Sequence, residues 1–495
     1  MRVRPGPRLG MRFGLGPGAK KGRVSPTGLA GAMPWWSLGV VLMVTTSADL
    51  ALTAPALWAG GLEERGGPPN VVLVMSDSFD GRLTFHPGNQ TVALPFINFM
   101  KKRGTLFLNA YTNSPICCPS RAAMWSGLFT HLTESWNNFK GLDQNYTTWM
   151  DLLQKYGYHT QKFGKLDYTS GHHSISNRVE AWTRDVDFLL RQEGRPMVNL
   201  IPNKMKTRIM EEDWQNTDKA TNWLRKEAIN FTQPFVLYLG LNLPHPYPSP
   251  YMGENFGAST FQTSPYWLER VFYKAIKIPE WSPLSEMHPV DYYSSYTKNC
   301  TGQFTKKEIR DIRAFYYAMC AETDAMLDIA GIPLHQNLSG YSLIPLTSEA
   351  ANNNSPAAMQ RPPWILSEFH GCNVNASTYM LRIDKWKYIA YSDGISSPPQ
   401  LFDLSSDPDE LTNIATRFPE ITLSLDQKLR SIINYPRVSA SVHQYNKRQF
   451  ISWKDSLGQN YTEVIANLRW HQDWLKEPLK YENAINQWLK TNTNM

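Results

Sequence analysis

The chain has 495 residues, 42% of them hydrophobic and 12% aromatic, which allows a large core and excludes wholesale disorder. Its formal net charge of +7 equals the seven basic residues of positions 1–32 (Arg2, Arg4, Arg8, Arg12, Lys20, Lys21 and Arg23), a stretch with no acid. The remainder is therefore neutral, and a nucleic-acid partner has no electrostatic support.

Residues 1–66 read as a basic, Gly/Pro-rich leader and a secretory signal. WWSLGVVLMV, just after Met33, fits the apolar core of such a signal and is too short to span a membrane. Ala54-Pro55-Ala56 follows as a cleavage site, and Met33 is an alternative start. No later run is long and apolar enough for a span. N-x-S/T sequons at Asn89, Asn145, Asn230, Asn299, Asn337, Asn375 and Asn460, with a weaker one at Asn353, agree with secretion.

Residues 67–362 alternate strand and helix. PNVVLVMSDSFDG is an apolar β-branched run ending in acids and glycine, the pattern of a buried central strand and its loop. INFMKKRGTLFLNAYTNS predicts a helix and a second strand. CPSRAAMWSG opens a further helix, with Pro119 suited to its first position. TTWMDLLQKYGYHTQKFGKLDY gives a helix, Gly157 as its cap, and a strand ending near Lys165. DKATNWLRKEAIN and PFVLYLGLNLPHPYP repeat the unit. The expected fold is a mostly parallel α/β sheet sandwiched by helices, with Asp77, Lys165 and His245 at the carboxyl ends of strands, where ligands gather. Tyr247 to Tyr296, rich in Pro and aromatics, reads as a surface excursion. KKEIRDIRAFYYAMCAETDAML is an amphipathic helix. The pattern changes over residues 363–495, where WILSEFHG, TYMLRIDKWKYIAYS and PQLFDLSSDPDEL predict a smaller antiparallel sheet, and a Trp-rich helical region follows Glu420.

Five cysteines, Cys117, Cys118, Cys300, Cys320 and Cys372, leave one unpaired. Cys117 and Cys118 stand at a helix start, where free N–H groups and the dipole favour an anion, and Arg121 adds donors. A disulfide, a thiol nucleophile and a modified residue all remain open there. Zinc does not, because neither a second cysteine pair nor regularly spaced histidines are present.

The run Cys117-Cys118-Pro119-Ser120-Arg121, with Ser126-Gly127 after four intervening residues, resembles the sulfatase signature C-x-P-S-R-x4-[TS]-G. RIDKWKYIAYS and LFDLSSDPDELTNIA are similar to that family's closing sheet. The resemblance covers Pro69 to the C-terminus and implies an alkaline-phosphatase-like fold. It implies that Cys117 is oxidised to formylglycine during secretion by a formylglycine-generating enzyme. Cys118, Cys300, Cys320 and Cys372 would then be left for up to two disulfides. The hydrate of that aldehyde would offer one hydroxyl to attack sulfur and another to expel sulfate. It further implies one Ca²⁺ held by Asp77 and residue 117, Arg121 orienting the nucleophile, Lys165 binding sulfate, and His245, or less strongly His288, contacting substrate or acting as acid. The implied substrate is a sulfated glycosaminoglycan, in particular 2-sulfated glucuronate of heparan, chondroitin or dermatan sulfate, and the implied destination is the lysosome or secretion.

Three departures from the family pattern matter. Ser78 stands where a second acid is common, with Asp80 as a substitute ligand. Asp167 stands where a His usually follows the lysine, with His172 and His173 as nearby candidates. Neither Asp-His-Gly nor Asp-Asn-Gly occurs anywhere in the chain, although the family has such a strand end after a helix like that of 306–327. Two βα units, on the order of 60 residues, are missing between Leu327 and Asp328 by this likeness. Three readings follow: a sulfatase whose internal segment is lacking, a truncated glycan-binding pseudoenzyme, and a phosphoester hydrolase of related architecture, which Cys117 in its signature disfavours.

Overall fold

The computed structural model describes residues 41–46, 70–170, 179, 181–184, 186, 192–248, 258–302, 304–327, 362–371, 376–468 and 477–491. Its main sheet joins β1 (Val41–Thr46), β2 (Asn70–Met75), β3 (His159–Gly164) and β5 (Phe235–Gly240) in the order β1-β2-β5-β3. The β2–β5 and β5–β3 pairs are parallel, as the alternation of strand and helix predicts.

Side chains alternate across a strand, so β2 serves two cores at once. Val71, Leu73 and Met75 join Val236 and Tyr238 against α2 (Cys117–Ser126) and α4 (Trp149–Lys155), meeting Ala122, Trp125 and Met150. Val72 and Val74 join Leu237 and Leu239 on the other face. There they meet Phe96 of α1 (Pro95–Arg103), Trp223 of α5 (Glu211–Lys226) and Met319 of α7 (Lys306–Leu327). Val71 to Met75 are at most 4% exposed, as befits a strand covered on both faces.

Two expectations need correction. Residues 105–112 form no strand; Leu106, Phe107 and Leu108 stand 36–60% exposed, with no strand beside them among the described residues. Residues 41–46 pair antiparallel with β2 from Val41↔Met75 to Thr46↔Asn70. A strand edge carries a row of unpaired N–H and C=O groups, and this segment satisfies them. The stretch 247–296 is no mere excursion. It supplies β6 (Tyr247–Pro248) and β7 (Ser259–Thr263), which with β4 (Met197–Leu200) form a small sheet. It also supplies α6 (Pro289–Thr297), and buries Phe261 and Trp267.

The C-terminal antiparallel sheet is present as β8 (Ile365–Phe369), β9 (Thr378–Ile383), β10 (Trp386–Tyr391) and β11 (Gln400–Asp403), paired in sequence order. Helices Pro419–Ile432, Tyr435–Leu457 and Pro478–Lys490 follow it.

Helix α7 carries a buried acid with a testable consequence. Glu322 Oε1 accepts from Ile209 N–H at 2.7 Å, Met210 N–H at 3.2 Å and Trp214 Nε1 at 2.8 Å. Its other oxygen is buried without a partner. Burial pushes its pKa up to about 7 despite those donors. A folded-state pKa above the unfolded value contributes stability at low pH that is lost as pH rises through the folded value. Thermal melts should therefore show a higher midpoint at pH 5 than at pH 8, and Glu322→Gln should remove much of that difference. An equal difference in the variant would assign the pH dependence elsewhere.

Candidate active site

Three strand ends and one helix start converge. Asp77 lies just beyond β2, Lys165 directly follows β3, and His245 lies five residues past β5. Glycine is required where β3 and β5 end. Gly164 has φ +74°, and a Cβ there would meet the Gly240 carbonyl at 2.0 Å. Helix α2 begins at Cys117 itself, so both cysteines are its first residues and Pro119 its third. Gly127, at φ +71°, closes the helix in the left-handed conformation that glycine favours. Trp125 anchors it from below, stacked on Trp149 and Tyr168 with centroids 5.5 and 4.7 Å away.

Asp77 is the hub. Its Oδ2 pairs with Lys165 Nζ at 2.8 Å and Arg121 Nη2 at 3.4 Å, and its Oδ1 accepts the Ser78 hydroxyl at 2.8 Å. Burial opposes its charge, but Lys165, His245 and Arg121 more than offset that and hold its pKa far below the usual carboxylate range. Arg121 is fixed by donating to the Lys165 carbonyl at 2.9 Å and the Tyr238 hydroxyl at 2.8 Å. Ligand atoms of Asp77, Cys117 and His245 lie within 4.8 Å of one another. Asp167, in the left-handed region at φ 42°, places a carboxylate oxygen 3.8 Å from Lys165 Nζ. It thus faces the same cluster from the position where the family pattern has a histidine.

The electrostatics correct one expectation. A helix start by itself favours a deprotonated nucleophile. Burial first, then Asp77, instead pushes the Cys117 thiol up to about 12. An unmodified Cys117 is thus a neutral thiol and a poor nucleophile. His245 donates from one tautomer through Nδ1 to the Pro246 carbonyl at 2.7 Å, leaving Nε2 as acceptor. The ring is exposed, and Asp77 and Lys165 act on it in opposite directions.

Other candidates lie apart. Asp80 caps a short helix and pairs with Arg82 at 2.8 Å, so its carboxylate is committed elsewhere. His288 caps α6 through Nδ1 and meets the Pro398 carbonyl through Nε2 at 2.8 Å. Its ring stacks on Tyr391, and it is not in the Asp77 cluster. His172, His173 and Cys372 lie outside the described residues. The four described cysteines are all free thiols, so no disulfide joins Cys118, Cys300 and Cys320; Cys118 and Cys320 are fully buried. Of the sequons, Asn145, Asn230 and Asn460 are exposed, whereas Asn89 and Asn299 are half-buried and Asn299 Nδ2 donates to the Glu193 carbonyl. Asn337 and Asn375 lie outside the described residues. No described helix is long and apolar enough to cross a membrane. Sequence reasoning missed Tyr238, although a phenol in the otherwise apolar FVLYLG was a visible signal.

A hard dication does not fit the described residues. Ca²⁺ takes about 6–8 oxygens. The cluster offers one carboxylate, already held by Lys165 and Arg121, beside a thiol and an imidazole.

A family model described as Sulfatase matches residues 69–329, and one described as N-sulphoglucosamine sulphohydrolase, C-terminal, matches 307–435. Human arylsulfatase K is 68% identical, with 92% of this chain and 99% of the relative covered. Arylsulfatase K of the dog is 68% identical over 91% and 99%. The human alignment runs over 531 positions, more than this chain's 495 residues. The relative therefore carries residues without counterpart here. Among solved structures, a phosphonate monoester hydrolase of Agrobacterium radiobacter aligns with TM-score 0.53 at 15% identity, covering 74% of this chain and 95% of that one, which shows a shared fold.

Proposed function

The chain belongs to the sulfatase family of sulfuric ester hydrolases, and from that membership we propose that it carries the nucleophile half of a formylglycine-dependent site for sulfated glycosaminoglycans. The observation that carries this is Cys117 at a helix start, within 4.8 Å of Asp77 and His245, with Arg121 and Lys165 fixed on Asp77.

An aldehyde at residue 117 supplies, as its hydrate, one hydroxyl for attack on sulfur and one for release of sulfate. The chain's own residues fit it. Asp77 and Asp167 can accept hydrogen bonds from the hydroxyls, and Arg121 and Lys165 offer cationic donors to sulfate oxygens. His245, whose Nδ1 meets the Pro246 carbonyl, leaves Nε2 for a contact to the sugar. No step is assigned to Ca²⁺, for which the described residues offer too few oxygens.

The lack of an internal segment after Leu327 is part of the proposal. An alignment longer than the chain supports it, as do the uncovered run Leu106–Leu108 and the pairing of residues 41–46 on the edge of a strand built for the centre of a sheet. The proposed substrate is 2-sulfated glucuronate, the proposed route is the secretory pathway to the lysosome, and the proposed modifying partner is a formylglycine-generating enzyme. A truncated, glycan-binding form is the second reading, supported by the same metal-poor cluster. The substrate test uses a form carrying the additional residues of the relatives. It should release sulfate from a disaccharide bearing 2-sulfated glucuronate faster than from one sulfated only on the hexosamine; the reverse preference would overturn the substrate assignment.

A further inference from the structure

We propose that Glu368, in the C-terminal sheet, is a positioning residue for the nucleophile at residue 117, an inference that rests on reading residue 117 as the nucleophile. The loop of residues 111–116 delivers Cys117 to its helix, and Glu368 holds it directly through Asn113 and indirectly through α3. The Glu368 N–H donates to the Asn113 carbonyl at 2.7 Å. Asn113 Oδ1 in turn accepts the N–H and O–H of Thr130, both at 2.7 Å. Thr130 opens α3 (Thr130–Thr133), and the next residue, His131, meets Glu368 Oε1 through Nδ1 at 2.8 Å. Main chain and side chain of one residue thereby close a ring through Asn113, Thr130 and His131.

Packing continues the grip. Ile116, the residue before Cys117, lies against the cluster of Val290, Phe369, Ala376 and Tyr391. A methyl group on Gly371 would meet Ile116 Cδ1 at 2.8 Å, so the strand end has no room to shift toward the loop. The arrangement is costly for mere stability. Glu368 is fully buried, and its Oε2 lies 3.6 Å from His370 Nε2, too far for a hydrogen bond. Besides His131 and His370, the groups facing this pair are Arg184 and Tyr379. Burial raises the Glu368 pKa, but the His131 hydrogen bond and His370 outweigh it, so the group stays a carboxylate acceptor. His370 Nδ1 is held by the Ser377 hydroxyl at 3.0 Å, which fixes that ring in place.

The test reads the geometry of residue 117 directly and needs no turnover. Wild type, Glu368→Gln, Glu368→Ala, His131→Ala and Asn113→Ala are made with the modifying enzyme present. Aldehyde content is measured by mass spectrometry, melting temperature is followed in parallel, and the rate of oxime formation with an aminooxy probe is measured on folded protein. Loosening the loop should raise the labelling rate about fivefold in Glu368→Ala, His131→Ala and Asn113→Ala, the scale of one hydrogen bond lost. Glu368→Gln keeps the main-chain donor and an acceptor for His131, and should stay within about twofold of wild type. Asn113→Ala breaks the ring without touching the buried charge, so it decides the matter if Glu368→Ala does not fold. Unchanged rates in folded variants with wild-type aldehyde content would overturn the proposal, as would a Glu368→Gln rate equal to that of Glu368→Ala. A wild type with no aldehyde at residue 117 would instead overturn the underlying nucleophile reading, and the proposal with it.

Discussion

Expressed as its 495 residues, the chain should release no measurable sulfate from a 2-sulfated glucuronate disaccharide or an aryl sulfate. It should also show no saturable Ca²⁺ binding by calorimetry. The reason is a count of oxygens and charges. Among the described residues, Asp77 is the carboxylate that joins the Cys117–His245 group, and Lys165 and Arg121 already neutralise it. A cation needing about 6–8 oxygens gains too little there to give up its water. Without that charge, a developing sulfate anion is met only by two cations shared with Asp77 and Asp167 among the described residues. Inserting the relatives' additional residues after Leu327 should restore both metal binding and turnover, and should raise solubility by covering Leu106, Phe107 and Leu108. Turnover by the short form that disappears in Cys117→Ala would show that this chain completes its site in another way.

In the restored form, Cys117→Ser should lower kcat by about 10⁴-fold or more, the scale on which loss of a covalent nucleophile is felt. A serine keeps the size of the side chain and the start of α2, so folding should be unaffected. It offers one hydroxyl on its carbon and cannot supply the second that expels sulfate. KM should move only a few-fold, because Lys165, Arg121 and His245 are untouched. A serine variant retaining a tenth of the activity would exclude an aldehyde hydrate as the working group.

Much of the fold and site was legible in the sequence because the relevant signals are local. The β-branched run 71–75 declared a strand covered on both faces, and the parallel character of its sheet followed from the alternation of strand and helix, though not its pairing with 235–240. The gathering of Asp77, Lys165 and His245 followed from placing each at a strand end, and Cys117 joined them through the family resemblance. What stayed hidden depends on partners far away in the chain. The run 105–112 has a strand's composition but no pairing partner among the described residues, so composition alone misassigned it. A helix start alone would ease ionisation of the Cys117 thiol, yet burial beside Asp77 wins, a balance that no spacing reveals. The grip of Glu368 on Asn113 and His131 joins residues more than 230 positions apart and had no signature in the sequence.

The mass of residue 117 tests the proposed nucleophile most directly. Protein secreted from cells that contain the modifying enzyme is digested with trypsin, and the peptide ending at Arg121 is weighed. The expected result is the loss of mass that converts a cysteine thiol to an aldehyde at Cys117, with Cys118 retained as a thiol. A peptide in which Cys117 is an intact cysteine, free or disulfide-bonded, would contradict it.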